Sequence, residues 1–134
     1  MPRTRVLVVD DHDVVRKGLC QILSSVPDLY IICEAASGEE AVEKAKEHLP
    51  GVILLDISLP GINGLEAACR IRDVSPTSLI LFISQHNCIQ MVREALRAGG
   101  QGYLLKSNAG LELVEAIRTV QGGNQFVSKS LAFA

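Results

Sequence analysis

The chain has 134 residues, 48% of them hydrophobic and 21% charged, with a formal net charge of −2. That is the size of one domain with material for a sizeable core. Lys and Arg are scattered with no basic run, which argues against nucleic-acid binding by the chain itself, because a phosphate backbone asks for a clustered positive face.

Met1-Pro2-Arg3-Thr4-Arg5 leads directly into the apolar run Val6 to Val9, with no small-residue cleavage site, so a first strand is expected there rather than a signal peptide. No apolar stretch reaches bilayer-spanning length, so no membrane partner is expected and the cytoplasm is the default location. A helix follows, with Val15, Leu19, Ile22 and Leu23 on one face and Asp13 as candidate N-cap. The second strand spans Leu29 to Cys33. Ser37, with Glu40 three residues on, has capping-box spacing for a second helix. Ala41, Val42, Ala45 and Leu49 mark its face, and Pro50-Gly51 ends it. The third strand is Val52 to Leu55, followed by the loop signals Pro60-Gly61 and Asn63-Gly64.

The third helix carries Leu65, Ala68, Ile71 and Val74 and stops at Ser75-Pro76. A fourth strand, Leu79 to Ile83, precedes a helix faced by Ile89, Val92, Ala95 and Leu96 and ended by Ala98-Gly99-Gly100. The last strand is Tyr103 to Leu105, and the last helix carries Leu113, Val114, Ile117 and Val120 before Gly122-Gly123. Residues 1–122 form the expected domain. Residues 123–134 read as a short tail or the start of a linker, with no partner of their own.

Continuous apolar strands alternating with amphipathic helices predict an α/β fold, a doubly wound, flavodoxin-like (βα)5 unit. Its parallel sheet is expected in the order 2-1-3-4-5. In such sheets ligands bind at the carboxyl ends of the strands, where the order reverses, here beside strands one and three.

That edge is chemically dense. Strand one ends in Asp10-Asp11, strand three in Asp56 and strand four in Ser84, and strand five is followed by Lys106. Three converging carboxylates repel, and burial adds to the cost of ionising them, unless a hard cation sits among them. Mg²⁺ suits oxygen ligands and commonly takes one or two carboxylates with phosphate oxygens. Asp11 is expected to bind it directly and Asp10 directly or through water. Asp56 and the main-chain carbonyl of Ser58 complete the protein ligands. Lys106 suits a phosphate oxygen, Ser84 offers a hydroxyl to another, and Asp56 is the candidate nucleophile that would hold an aspartyl-phosphate.

Val8-Val9-Asp10-Asp11, Leu54-Leu55-Asp56-Ile57-Ser58-Leu59-Pro60-Gly61-Ile62-Asn63-Gly64, Ser84 and Gly102-Tyr103-Leu104-Leu105-Lys106 together resemble the receiver domain of two-component response regulators, from about Arg5 to Gly122. The resemblance implies that a sensor histidine kinase donates a phosphoryl group from its His to Asp56. Ser84 and Tyr103 would then move toward the site and alter the face formed by helix four, strand five and helix five. Such a protein is a switch that promotes its own phosphorylation and dephosphorylation rather than a conventional enzyme.

Asp10-Asp11-His12 followed by Arg16-Lys17-Gly18-Leu19, and the tail Gly122-Gly123-Asn124-Gln125-Phe126-Val127-Ser128, look like the LuxR/NarL-type subgroup, which carries a C-terminal helix-turn-helix. That unit is expected to be absent here. Transcription would then be regulated, and DNA bound, through the missing part, with a homodimer forming on activation. Three positions depart from the usual pattern: Ser84 where Thr is commoner, Leu59 where Met is frequent, and Ser107 where Pro often follows a cis peptide.

His86 can orient a water for dephosphorylation or simply be a solvated loop residue, and His12 can sit behind the acidic pair or likewise belong to the loop. Four cysteines, Cys20, Cys33, Cys69 and Cys88, form no C-x-x-C pair, and the first three lie in apolar segments and read as buried thiols. Other functions fit less well. An aspartate-nucleophile phosphatase of the haloacid-dehalogenase kind expects a second Asp at position 58, which is Ser. A receiver used only for interaction would not need the complete acidic set.

Overall fold

The computed structural model describes residues 3–131. The apolar runs form parallel strands β1 (Thr4–Val9), β2 (Leu29–Ala35), β3 (Val52–Asp56), β4 (Leu79–Ser84) and β5 (Gly102–Leu105). Helices α1 (Asp13–Ser24), α2 (Gly38–His48), α3 (Gly64–Val74), α4 (Ile89–Arg97) and α5 (Ala109–Gln121) alternate with them. Successive strand side chains point to opposite faces, so β1 divides its residues between two cores. Leu7 and Val9 pack with Ala41 and Ala45 of α2, Ile71 of α3 and Val92 of α4. Val6 and Val8 pack with Leu19 and Leu23 of α1 and Leu113 and Ile117 of α5. Each leucine fully buried this way contributes roughly 2 kcal/mol. None of the described helices is long and apolar enough to cross a membrane.

The sheet order is β2-β1-β3-β4-β5-β6. The expected 2-1-3-4-5 order holds, and a sixth strand extends it. Phe126–Val127 (β6) pairs parallel to Gly102 and Tyr103 on the open edge of β5. The segment expected to lack a partner is therefore bound to the sheet, and Leu131 beyond it is buried in the core. A two-residue strand has no periodicity to announce it; the demand comes from β5, whose outer edge would otherwise leave buried main-chain groups unpaired. Residues 132–134 of the expected tail, like Met1 and Pro2, lie outside the described residues.

Of the two N-caps expected from the sequence, Ser37 is one and Asp13 is not. The Ser37 side chain accepts from the Glu40 N–H at 3.1 Å, while the Glu40 carboxylate accepts from the Ala36 N–H at 2.8 Å. Asn63 caps α3 by accepting from the Glu66 N–H at 2.9 Å. The expected cap of α1, Asp13, is instead the first helical residue, and His12 stands at the N-cap without a side-chain cap bond. Asp13 is drawn into an ion pair with Arg16 at 2.6 Å. Leu49 closes α2 in the left-handed conformation, φ 47°, which costs a non-glycine residue roughly 1 kcal/mol. The thiols are all free: Cys20 and Cys33 are half-buried, but Cys69, expected inside, is exposed because it falls on the outer side of α3.

Candidate functional site

Strand register builds the site. Val9 pairs with Leu55, so Asp10 and Asp56 leave β1 and β3 side by side. Asp56 pairs with Ile83 and Ser84 with Leu105, so Ser84 and Lys106 step forward one residue at a time toward the same edge. The chain can turn from β3 into α3 so tightly because residue 64 is glycine. A Cβ there would stand 2.2 Å from the Asp56 carbonyl oxygen and 2.7 Å from Ile57 Cα.

Lys106 is the centre of charge. Its Nζ donates to Asp56 Oδ2 at 3.0 Å and lies 2.9 Å from Asp10 Oδ2. Asp10 and Asp56 are 0% and 1% exposed. Burial pushes the Asp56 carboxyl above the usual carboxylate range; the Lys106 hydrogen bond opposes that shift and the Asp10 charge adds to it. Burial also works against the Lys106 ammonium, but its contacts with Asp10 and Asp56 outweigh this and hold it above the usual lysine value.

One ammonium does not satisfy this cluster. Ligand atoms of Asp10, Asp11, His12 and Asp56 lie within 4.8 Å of one another. Asp10 Oδ2 is fully buried, and among the described residues its partner is the Lys106 ammonium. Three carboxylates, two of them buried, facing one lysine ammonium fit a hard divalent cation. Ser58 reaches the site through its N–H, which donates to Asp56 Oδ1 at 3.2 Å.

Ser84 is buried, and its Oγ accepts from the His86 N–H at 3.0 Å. Tyr103, expected to turn inward on activation, is already fully buried, and its hydroxyl donates to the His86 carbonyl at 2.7 Å. The His86 ring is half-buried with Nε2 3.3 Å from Ser58 Oγ, so it is a site neighbour rather than a free loop side chain. The peptide bonds of the described residues, Lys106–Ser107 included, are all trans.

Two participants carried too little sequence signal. His12 Nδ1 lies 3.2 Å from both Asp10 Oδ1 and Asp11 Oδ1, so it belongs to the acidic cluster. Arg16 donates to the Asp10 carbonyl at 2.7 Å, to Asp13 at 2.6 Å and to Glu34 at 2.9 Å, clamping the turn that bears Asp10 and Asp11. Its place one helical turn after Asp13 was visible; its reach back to β1 and across to β2 was not.

Residues 6–118 match the family model described as the response regulator receiver domain. The chain belongs to that family, whose members are signalling switches rather than conventional enzymes. It is 41% identical over 127 residues to the transcriptional activator protein ExaE of Pseudomonas putida, covering 95% of this chain and 59% of that protein. It is 36% identical over 126 residues to the nitrate/nitrite response regulator NarL of Escherichia coli, covering 94% and 58% respectively. A two-component response regulator of the LuxR family from Aurantimonas sp. SI85-9A1 superposes with a TM-score of 0.93 at 33% identity, covering 98% of this chain and 94% of that one. The chain thus spans somewhat under two thirds of the curated relatives it matches, and the match places it among LuxR/NarL-type response regulators.

Proposed function

We propose that the chain is a phosphorylation switch in which Asp56 accepts a phosphoryl group from a phosphohistidine of a sensor histidine kinase. The observation that carries this reading is the convergence of Lys106 on Asp56 and Asp10, at 3.0 and 2.9 Å, in a cluster to which Asp11 adds a third carboxylate that one ammonium does not neutralise. Mg²⁺ would be held by Asp11, Asp56, the Ser58 carbonyl and Asp10, directly or through water. When bound it supplies neutralisation of phosphoryl charge. A carboxylate oxygen of Asp56 attacks phosphorus while the P–N bond breaks, and the electron pair returns to the donor imidazole. Lys106 pairs with one phosphoryl oxygen, and the Ser84 hydroxyl donates to another. Burial of Asp56 limits water at the resulting acyl phosphate.

In this reading the signal is passed on by a shift between two arrangements of Ser84 and Tyr103. Dimerisation, and transcriptional regulation through a C-terminal DNA-binding domain outside this chain, complete the proposal, supported by the regulators it resembles. The test is incubation with Mg²⁺ and acetyl phosphate, followed by intact mass, with Asp56→Asn alongside. A gain of one phosphoryl group that requires Mg²⁺ and vanishes in the variant is expected. No adduct with either acetyl phosphate or phosphoramidate would overturn the reading.

A further inference from the structure

Ser128 lies 22 residues after Lys106, beyond the last helix, yet it is fully buried. Its N–H donates to the Tyr103 carbonyl at 3.0 Å, and its Oγ accepts from the Leu105 N–H at 2.8 Å. β6 has ended at Val127, so this hydroxyl takes the place a neighbouring strand's carbonyl would have held. Without it, the buried Leu105 N–H would lose its acceptor. The surrounding segment is pinned at three more points. The Phe126 N–H donates to Gln101 O at 3.2 Å, and the Lys129 N–H donates to Glu112 Oε2 at 3.1 Å. Leu131 is buried in the same cluster as Tyr103 and Leu105.

We propose that Ser128 is a positioning residue for the phosphoacceptor site, setting from the sheet edge where Lys106 and Tyr103 stand; this rests on the reading of Asp56 as the phosphoacceptor. Two routes lead inward. Leu105 immediately precedes Lys106, whose ammonium spans Asp56 and Asp10. The Tyr103 hydroxyl donates to the His86 carbonyl, and the His86 N–H donates to Ser84 Oγ. Hydrogen bonds and single residues thus connect the segment after α5 to both groups that would contact the phosphoryl oxygens. Coupling of this kind is reciprocal: whatever phosphorylation does to the docking of residues 126–131, their docking does to phosphorylation. The stretch by which the chain leaves the sheet is then part of the switch.

The test is Ser128→Ala, with Ser128→Thr to restore the hydroxyl. The Mg²⁺ concentration that half-saturates the thermal shift is expected to stay unchanged, since Ser128 touches no carboxylate. The maximal rate of phosphorylation by acetyl phosphate is expected to fall roughly tenfold, the scale of a sub-ångström misplacement of a positioning group. Ser128→Thr is expected to recover most of that rate. A folded Ser128→Ala protein that phosphorylates at the wild-type rate would overturn the proposal. Amide exchange in the wild type needs no variant. Altered protection of residues 126–131 on adding beryllofluoride, a phosphoryl mimic, supports the coupling, and identical protection overturns it. A wild-type protein that takes up no phosphoryl group would instead sink the reading of Asp56, and the role of Ser128 with it.

Discussion

Lys106 Nζ stands 3.0 Å from Asp56 Oδ2, joining the ends of β5 and β3 across a separation of 50 residues. The bond is electrostatically one-sided. Burial and the nearby Asp10 charge together outweigh it, so the Asp56 carboxyl is held above its ordinary pKa. A site in that condition is destabilised at neutral pH until something neutralises it.

Asp56→Asn is therefore expected to raise the melting temperature by a few degrees at pH 7 without Mg²⁺. The folded-state pKa of Asp56 is raised, so its contribution to stability is fully present below the unfolded value near 4 and declines as the pH rises through the folded value. The variant should flatten that part of the stability profile. Adding Mg²⁺ should stabilise the wild type more than the variant, since a ligand binding only the folded state adds its binding free energy. Thermal melts across pH, with and without Mg²⁺, check both; a variant that melts at or below the wild type in Mg²⁺-free buffer contradicts the account.

Lys106→Ala removes the ammonium that bridges two buried carboxylates. Stripping one partner from such a site costs about 3 kcal/mol. The loss should be largest at neutral pH and should shrink on acidification or on adding Mg²⁺. Urea unfolding followed by circular dichroism measures it. A cost that does not depend on pH or Mg²⁺ would show that the lysine stem, rather than its charge, is what matters.

Arg16→Lys keeps the charge but loses the fork that bonds the Asp10 carbonyl, Asp13 and Glu34 together. Loosening the turn that carries Asp10 and Asp11 is expected to weaken Mg²⁺ binding about tenfold, the usual scale for groups that hold metal ligands in place. Isothermal titration with Mg²⁺ reads this directly. Unchanged affinity would confine Arg16 to a purely structural role.

Leu131→Ala tests whether the chain beyond α5 belongs to the core. Leu131 is 2% exposed, and truncating a leucine so buried costs about 3 kcal/mol. A loss of that size in urea titration places the segment inside the cooperative unit. A change near zero would mean that residues 126–131 dock only weakly.

Much of this protein is determined locally, and the sequence reflects it. Strand and helix boundaries follow from continuous apolar runs buried on both faces and from stripes at helical spacing, with Ser37 as a cap at capping-box spacing. The acidic pair, Asp56, Ser84 and Lys106 are legible because each ends a strand, and a parallel sheet brings strand ends to one edge. What only the tertiary structure decided depends on which groups are left unsatisfied when the sheet is assembled. The pairing of Phe126–Val127 answers an open edge on β5, and the hydroxyl of Ser128 answers the Leu105 N–H. Arg16 reaches the Asp10 carbonyl only because α1 packs back beside β1 and β2. Nothing within a few residues of Arg16 or Ser128 announces those partners, since a side chain's acceptor across space is set by packing rather than by local periodicity.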